Sequence, residues 1–246
     1  PHCFHTETVL QTNGRSAIWP PMHYYPLLLN LTGKTCLVVG AGQVGLRKIR
    51  TLVECGAGLV RVVDTRPAGP DLTTLLDDPR LEFLCRPFEP QDLEDCTLVI
   101  ASTDNEEVNW RISRLCAERK ILCNIVDQPE KCSFILASLF TQGDLTIAIS
   151  TAGKSPALAK KIRRDLKQTF GPEYGLLVEL MGRLRPAVMG LGRSTAWNTE
   201  IFASIVSSPI LESLKQGDAE AVRAILTGLL PEELHPQLED LCHGLS

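Results

Sequence analysis

The sequence predicts an α/β fold with a Rossmann-type, doubly wound parallel sheet, followed by a small β-hairpin and a C-terminal helical domain. Three observations predict this fold. Five short apolar runs alternate with helix-period segments, a glycine-rich motif directly follows the first run, and the alternation stops after Asp127. Alternating strands and helices are typical of a parallel sheet, because each parallel connection needs enough chain for a crossover helix.

The first βαβ unit begins with the strand Thr35–Val39. It continues with a helix-period stretch over residues 44–55 and ends with the β-branched run 59–63. The remaining elements of this half are strands over 81–85, 97–101 and 121–126, with a helix over about 105–119. Uninterrupted apolar runs are typical of strands that are buried on both faces. We therefore predict a central position in the sheet for the strand over 121–126.

The second half of the chain has a different pattern. Two strand-like runs, 134–140 and 145–150, flank the short turn Thr141-Gln142-Gly143-Asp144, which predicts an antiparallel hairpin outside the main sheet. Ser155-Pro156 then offers an N-cap and a proline at the first helical position, so a basic helix is expected from there to about Phe170. Helices over 174–184 and 219–230 are predicted beyond it.

Composition and charge exclude several classes of protein. The chain has 246 residues, of which 44% are hydrophobic and 22% charged, as in ordinary folded domains. Its 25 basic and 29 acidic residues give a net charge of −4, so no global positive field attracts nucleic acid or an anionic membrane. The nine cysteines include no C-x-x-C pair, which indicates thiols in a reducing, cytoplasmic compartment rather than disulfides or a metal site.

Residues 1–21 form a separate segment in this interpretation. They lack the apolar stretch and the basic start of a signal peptide, and no run in the chain is long and apolar enough to span a membrane. We expect a tail or extension here, with Met22 as a candidate natural start.

A glycine-rich motif opens the first helix. Gly40-Ala41-Gly42-Gln43-Val44-Gly45 matches the pattern G-x-G-x-x-G. In this pattern Gly40 permits the tight turn, Gly42 leaves room for a pyrophosphate, and Gly45 lets the helix pack closely on the strand. The helix N-terminus adds unpaired N–H groups and the positive end of the helix dipole. The motif therefore predicts a dinucleotide site.

Asp64 strengthens this prediction because it ends the second predicted strand, 19 residues beyond Gly45. An acidic side chain at that point accepts hydrogen bonds from the adenosine ribose hydroxyls, and its charge repels a 2′-phosphate, which favours NAD over NADP. Arg66 weakens this preference for NAD, since a nearby arginine can accommodate the 2′-phosphate of NADP.

Carboxylates are the candidate acid–base groups, because residues 24–234 contain no histidine. Asp127 follows a predicted strand at its carboxyl end, where open α/β sheets bind ligands; a turn role before Pro129 is the alternative. Thr103 and Asp104 end another strand at the same edge and are candidate cofactor contacts. For Asp104 the pattern favours capping of the next helix.

A second candidate anion site joins the hairpin to the basic helix. Residues 150–156 can form an anion cradle, and the stretch from Lys154 to Phe170 has six basic residues against one acid, Asp165. A solvated charged face is one interpretation. The more specific interpretation is a binding site for a substrate with several carboxylates, and Arg47 and Lys48 can contribute to this site. Its candidate ligands are Ser150, Thr151, Gly153, Lys154 and Ser155.

The order of these motifs resembles the precorrin-2 dehydrogenases and the dehydrogenase/ferrochelatase part of siroheme synthase. The resemblance covers about residues 24–191. The motifs that carry it are Tyr25-Pro26-Leu27-Leu28-Leu29, the stretch 38–48, Ala101-Ser102-Thr103-Asp104, Cys123-Asn124-Ile125-Val126-Asp127, Ser133-Phe134-Ile135 and the stretch 149–156.

This resemblance implies NAD-dependent oxidation of precorrin-2, a tetrapyrrole with eight carboxylates, to sirohydrochlorin on the route to siroheme and, in some organisms, cobalamin. Asp127 matches the aspartate implicated in catalysis and, in bifunctional members, in metal insertion. The residues that match Gln43, Val44, Asp64 and Thr65 line the dinucleotide. Two alternatives stay open: a bifunctional dehydrogenase and ferro- or cobaltochelatase, and a non-catalytic dinucleotide-binding regulatory module.

The resemblance also implies a homodimer. The expected organisation is a tail over 1–21, an NAD-binding domain over 22–136, a dimerisation hairpin with its basic helix over 137–170, and a helical domain over 171–246. Two departures matter. Family members often have Ser-Ser-Gly-Gly in place of residues 150–153, and often have alanine in place of Gly45, a change that we expect to be harmless.

Overall fold

The structure is a computed structural model that describes residues 24–126 and 128–244. These residues form two compact units, which divide between Ile135 and Leu136. Within the described ranges, no helix is both long enough and apolar enough to cross a membrane.

The first unit contains a five-stranded parallel sheet, which confirms the predicted fold class. Its strand order is β3-β2-β1-β4-β5, so the chain reverses its direction across the sheet between β1 and β4. In doubly wound sheets this reversal opens a ligand crevice at the carboxyl ends of the strands. The strands are β1 (Thr35–Val39), β2 (Leu59–Asp64), β3 (Leu81–Cys85), β4 (Cys96–Ala101) and β5 (Leu122–Ile125).

Helices cover both faces of this sheet. They are α1 (Gln43–Glu54), α2 (Pro70–Thr73) and α3 (Glu106–Glu118). Successive side chains of β1 point to opposite faces: Leu37 lies in one buried cluster with Ile112 of α3, and Val38 lies in the other with Ile49 of α1. Each face thus has its own apolar core, and the carboxyl ends of β1 and β4 remain as the open edge.

The predicted central position of the fifth strand is wrong, because β5 pairs only with β4 among the described strands. The segment after β5 explains its apolar sequence. Ser133 exchanges hydrogen bonds with the backbone of Cys123, and the Sγ atom of Cys132 accepts one from the Ile125 N–H at 3.0 Å. These contacts cover the edge of β5, so Cys123, Asn124 and Ile125 are buried although the strand lies at the edge of the sheet.

The second unit begins with the predicted hairpin, formed by β6 (Ser138–Gln142) and β7 (Leu145–Ile149). Its turn contains only Gly143 and Asp144, with Gly143 at φ +55°. The first strand is shorter than predicted, since Phe134 belongs to the first unit, where its carbonyl accepts a hydrogen bond from Asn124 Nδ2 at 3.0 Å.

Helices complete the second unit. Ser155 caps α4 as predicted, because its Oγ accepts the Leu158 N–H at 3.2 Å. The fully buried residues of this unit include Leu180, Ile205 and Leu226, so these helices pack around an apolar core of their own. The helices are α4 (Pro156–Thr169), α5 (Pro172–Gly190), α6 (Thr195–Ser207), α7 (Ile210–Gln216), α8 (Ala219–Leu229) and α9 (Leu238–Cys242).

Candidate functional site

The glycine motif forms a tight turn at the carboxyl end of β1, on the crevice side of the sheet. Gly40 has φ +96°, and a Cβ on it would lie 2.7 Å from the carbonyl oxygen of Ser102. Its N–H donates to Val63 O at 2.8 Å, which ties the turn to β2. Glycine is required at this position by both the backbone angle and the neighbouring strand.

Gly45 allows α1 to start directly above this turn. A Cβ at this position would collide with the carbonyl oxygen of Gly40 and would lie 2.8 Å from Ser102 Oγ. The expectation that alanine is harmless here is therefore wrong for this chain. The reason is steric, since the nearest atom belongs to the backbone and cannot rotate away.

Gly42 differs from the other two glycines of the motif in the space around it. A Cβ on it would meet only Nη2 of Arg66, at 3.9 Å, so protein packing does not require glycine here. Gly42 is also the N-cap of α1 and has no side chain to bond the N–H groups of the first helical turn, which has no acidic residue. Open space beside these N–H groups and the positive end of the helix dipole fits the phosphates of a dinucleotide.

Asp64 lies at the end of β2 beside the turn and is 9% exposed. Its Oδ2 accepts the Ala41 N–H at 2.6 Å, and its Oδ1 accepts the Arg66 N–H at 2.8 Å. Burial by itself raises the pKa of this carboxyl, but the hydrogen bonds from Ala41 and Arg66 outweigh it and lower the pKa below its ordinary value. Asp64 is therefore charged at neutral pH and holds the turn in place.

The other predicted dinucleotide contacts in this part of the chain lie around the same turn. Val44 is half-buried on α1, whereas Gln43 and Thr65 are exposed. Their positions next to Gly42 and Asp64 in the chain bring all three to the rim of the crevice.

Ser102 is a residue that the motif analysis did not single out. Its Oγ lies 2.8 Å from Gly40 O and 3.2 Å from Val39 O, and its N–H donates to Val39 O at 2.8 Å. Ser102 thus fastens the glycine turn to the end of β4. The available signal was its place directly after the predicted strand 97–101; the pairing of that strand with β1 is seen in the structure alone.

Thr103 and Asp104 follow Ser102 at the same edge. The side chain of Thr103 donates to Asn109 Oδ1 at 2.7 Å, and Asn109 Nδ2 donates to Thr103 O at 2.9 Å. The predicted capping by Asp104 is wrong: Asn105 caps α3, because its Oδ1 accepts the N–H groups of Glu107 and Val108. Asp104 itself is exposed at the carboxyl end of β4.

Asp127, the predicted catalytic residue, lies outside the described residues. The chain on either side of it is anchored. The Val126 N–H donates to Ala101 O at 3.0 Å, and the Cys132 thiol donates to Gln128 O at 3.2 Å. Val126 therefore lies at the same edge of the sheet as Ser102, Thr103 and Asp104.

The predicted anion cradle belongs to the second unit. Two consecutive residues, Ala152 at φ +49° and Gly153 at φ +78°, have a left-handed backbone. The side chain of Ser150 accepts the Ala152 N–H at 3.1 Å, and the side chain of Thr151 accepts the Ser155 N–H at 3.1 Å. Local hydrogen bonds therefore hold this loop, and Lys154 is exposed within it.

The basic helix α4 forms one side of a groove with a volume of about 430 Å³, and β6 forms the other. The acid of this helix, Asp165, pairs with Lys161, which does not line the groove. The groove is therefore a surface with an excess of positive charge, suited to carboxylates. Its lining residues are Leu139, Phe140, Thr141, Gln142, Lys160, Arg163, Arg164 and Lys167.

Two family models match this chain. Residues 27–138 match a family described as "Putative NAD(P)-binding", and residues 142–169 match one described as "Sirohaem biosynthesis protein central". The first match covers the unit with the glycine turn, and the second covers most of the hairpin together with α4.

Curated relatives and a solved structure agree with these matches. Siroheme synthases from Thioalkalivibrio sulfidiphilus and Salmonella typhi are 36% and 33% identical over 83% and 87% of this chain. The chain spans less than half their length, 42% and 46%. A structure titled "SirC, precorrin-2 dehydrogenase" has a TM-score of 0.69 at 23% identity, covers 84% of this chain and 98% of that chain, and shows the shared fold. These matches confirm the predicted resemblance: residues 27–138 are similar to NAD(P)-binding proteins, residues 142–169 are similar to the central segment of sirohaem biosynthesis proteins, and the chain is similar to part of the siroheme synthases.

Proposed function

We propose that this chain is an NAD-dependent precorrin-2 dehydrogenase that forms sirohydrochlorin in siroheme biosynthesis. The observation that carries the proposal is the presence of both family matches, NAD(P)-binding and siroheme central, on one chain. The reaction removes one hydride and one proton from the macrocycle: precorrin-2 and NAD⁺ give sirohydrochlorin, NADH and H⁺. NAD, when bound, supplies the acceptor for the hydride.

The first unit provides the cofactor site in this proposal. The open side of Gly42 and the first turn of α1 receive the pyrophosphate, and Asp64 receives the ribose hydroxyls. Gly40 and Gly45 are also part of this proposed cofactor site, because they set the shape of the turn, and Ser102 fastens that turn. The remaining proposed contacts are Gln43, Val44, Thr65, Thr103 and Asp104.

Asp127 is the proposed base that accepts the proton lost from the macrocycle. Its support is the family resemblance together with the position of Val126, which is bonded to the end of β4 through Ala101. Ligands of doubly wound sheets bind beyond the carboxyl ends of the strands, and Val126 lies at that edge, which supports a catalytic role for the residue that follows it in the chain.

The second unit provides the proposed binding surface for the carboxylates of the substrate. Its support is the positive groove beside α4 and the loop that precedes it, where Ala152 and Gly153 form a left-handed turn. The proposed ligands in this loop are Ser150, Thr151, Gly153, Lys154 and Ser155.

A homodimer built through the hairpin and α4 is part of this proposal. Leu136, Leu139 and Leu158 are exposed by 43%, 37% and 48%, and a second copy of the chain would cover them. Light scattering that finds a monomer at micromolar concentration would contradict it.

We also place the reaction in the cytoplasm, since the eight cysteines of the described part are all free thiols.

Metal insertion into sirohydrochlorin is a second candidate function, favoured by the name siroheme synthase that the curated relatives have. It requires a base for the pyrrole protons, and Asp127 is the candidate in this case as well. The metal ion here is a substrate of the reaction.

An anaerobic absorbance assay with purified protein, precorrin-2 and NAD tests both functions. The dehydrogenase produces NADH and sirohydrochlorin in equal amounts, and Fe²⁺ or Co²⁺ added afterwards then tests insertion above the uncatalysed rate. Asp127→Asn is expected to lower turnover by about 100-fold, which is typical for loss of a general base, with NAD affinity near that of the wild type. Absence of NADH would contradict the proposal and favour a regulatory binding module.

A further inference from the structure

Arg66 lies beside the glycine turn, and most of its guanidinium group has no protein partner. Its side chain is 67% exposed, and its Nε lies 3.5 Å from Asp64 Oδ1. Its Nη2 lies 3.9 Å from the position that a Cβ on Gly42 would occupy. Within residues 24–126 and 128–244, neither Nη atom donates a hydrogen bond. Both Nη atoms are thus available on the side of the turn where the adenosine half of a dinucleotide binds.

The carboxylate of Asp64 does not present an isolated negative charge to this region. Each of its oxygens already accepts one backbone N–H, from Ala41 or from Arg66, and the guanidinium of Arg66 is its ion-pair partner. A carboxylate oxygen accepts two hydrogen bonds. Oδ1 already accepts two from Arg66, from its N–H at 2.8 Å and its Nε–H at 3.5 Å, so the position left for a ribose hydroxyl is on Oδ2. An added phosphate would therefore meet an ion pair, whose net field is much weaker than that of a single carboxylate.

We infer that this chain accepts NADP as well as NAD, with Arg66 binding the 2′-phosphate of the adenosine ribose. The planar guanidinium group matches a phosphate with two parallel N–H···O hydrogen bonds, and Arg66 has both Nη atoms available for them. The inference rests on the proposed function, because it places a dinucleotide in this site. It goes beyond that function in assigning a second cofactor and the residue that selects it.

Calorimetric titration of the full chain with four probes tests this inference. The probes are NAD, NADP, 5′-ADP and 2′,5′-ADP; the last two isolate the adenosine half. Wild-type protein is expected to bind NADP within about tenfold of NAD. Arg66→Ala is expected to weaken NADP and 2′,5′-ADP by about tenfold or more, as the loss of hydrogen bonds to a charged group does, and to change NAD and 5′-ADP by less than about twofold.

Arg50→Ala is the matched control, because Arg50 is an exposed arginine on α1 whose partner is Asp71, at 3.9 Å. It is expected to leave all four affinities unchanged. The Arg66 side chain is mostly exposed and its backbone N–H, which holds Asp64, remains in the variant, so Arg66→Ala is expected to unfold at the wild-type temperature.

The possible outcomes separate the inference from the proposed function. Equal weakening of NAD and NADP by Arg66→Ala would mean that Arg66 binds the pyrophosphate or the adenine, and this would overturn the inference. Binding of NAD without binding of NADP would overturn it and leave the proposed function intact. Binding of neither dinucleotide would overturn both.

Discussion

The two candidate anion loops of this protein are held in different ways. The glycine turn is fixed by the rest of its unit: Asp64 bonds Ala41, Ser102 bonds Gly40, and no Cβ fits at Gly45. The loop before α4 is held by its own Ser150 and Thr151, and a Cβ on Gly153 would meet nothing within 4 Å. Substitutions in the first loop should therefore act on the stability of the unit, and those in the second mainly on the local backbone.

Gly45→Ala is expected to give the largest effect. The added Cβ collides with the backbone of Gly40, so α1 must move away from the turn. The free energy of unfolding should fall by about 3 kcal/mol, at the upper end for overpacking, and NAD affinity should fall as well. Urea denaturation and NAD titration measure both quantities.

Gly42→Ala is the control for this comparison. Its Cβ has open space, so the free energy of unfolding should change by less than about 1 kcal/mol, the range for an N-cap change from glycine to alanine. NAD affinity should still fall, because the methyl group occupies the approach of the pyrophosphate. Equal loss of stability in the two variants would contradict the assigned difference between these glycines.

Asp64→Asn is expected to give the next largest loss of stability, because it removes the negative charge of the carboxylate that accepts hydrogen bonds from the N–H groups of Ala41 and Arg66. Hydrogen bonds to charged groups contribute about 1.5–3 kcal/mol each, and an amide retains part of that. The pKa of Asp64 is lower in the folded state than in the unfolded one, since the hydrogen bonds outweigh burial. Its contribution is thus fully present above the unfolded pKa and is lost as the pH falls through the folded pKa.

Urea denaturation of wild type and Asp64→Asn between pH 7 and pH 3 measures this dependence. The difference between their free energies of unfolding should be constant near neutral pH and should shrink below about pH 4, the ordinary pKa of an aspartate. A difference that is independent of pH over this range would mean that the charge of Asp64 does not hold the turn.

Ser102→Ala is expected to give a smaller loss of stability with a specific loss of binding. It leaves Gly40 O without its side-chain partner, which lowers the free energy of unfolding by about 1 kcal/mol. Ser113→Ala removes a comparable bond, from Oγ to Lys131 O at 2.9 Å, at a site away from the turn. Both variants should lose similar stability, but only Ser102→Ala should weaken NAD. Equal NAD affinities would exclude Ser102 as a positioning residue.

Local sequence patterns were sufficient to predict most of the fold. The strands at Thr35–Val39 and Leu81–Cys85 have the predicted bounds, because their apolar runs end at turn residues. The glycine motif was found from the spacing of its three glycines within six consecutive residues, although the contacts that require Gly40 come from Ser102 and Val63, which are distant in the chain.

Tertiary contacts explain what the sequence did not predict. The edge position of β5 depends on hydrogen bonds from Cys132 and Ser133, and the role of Ser102 depends on the pairing of β1 with β4. No local pattern records these neighbours. The N-cap of α3 is Asn105, one residue after the predicted Asp104. The hydrogen bond from Thr103 to Asn109, which links the end of β4 to α3, accompanies this difference.

Ala152→Gly is expected to give the smallest effect, and its sign is opposite to that of the other variants. Ala152 has φ +49°, a conformation that an L-residue with a Cβ adopts at a cost of about 1–2 kcal/mol, whereas glycine adopts it freely. The greater freedom of glycine in the unfolded chain offsets about 0.5–1 kcal/mol of this gain. A net increase of about 0.5 kcal/mol in the free energy of unfolding is therefore expected, measured by urea denaturation. A decrease would mean that contacts of the Ala152 methyl group, rather than the bonds from Ser150 and Thr151, hold the loop, and the contrast with the glycine turn would fail.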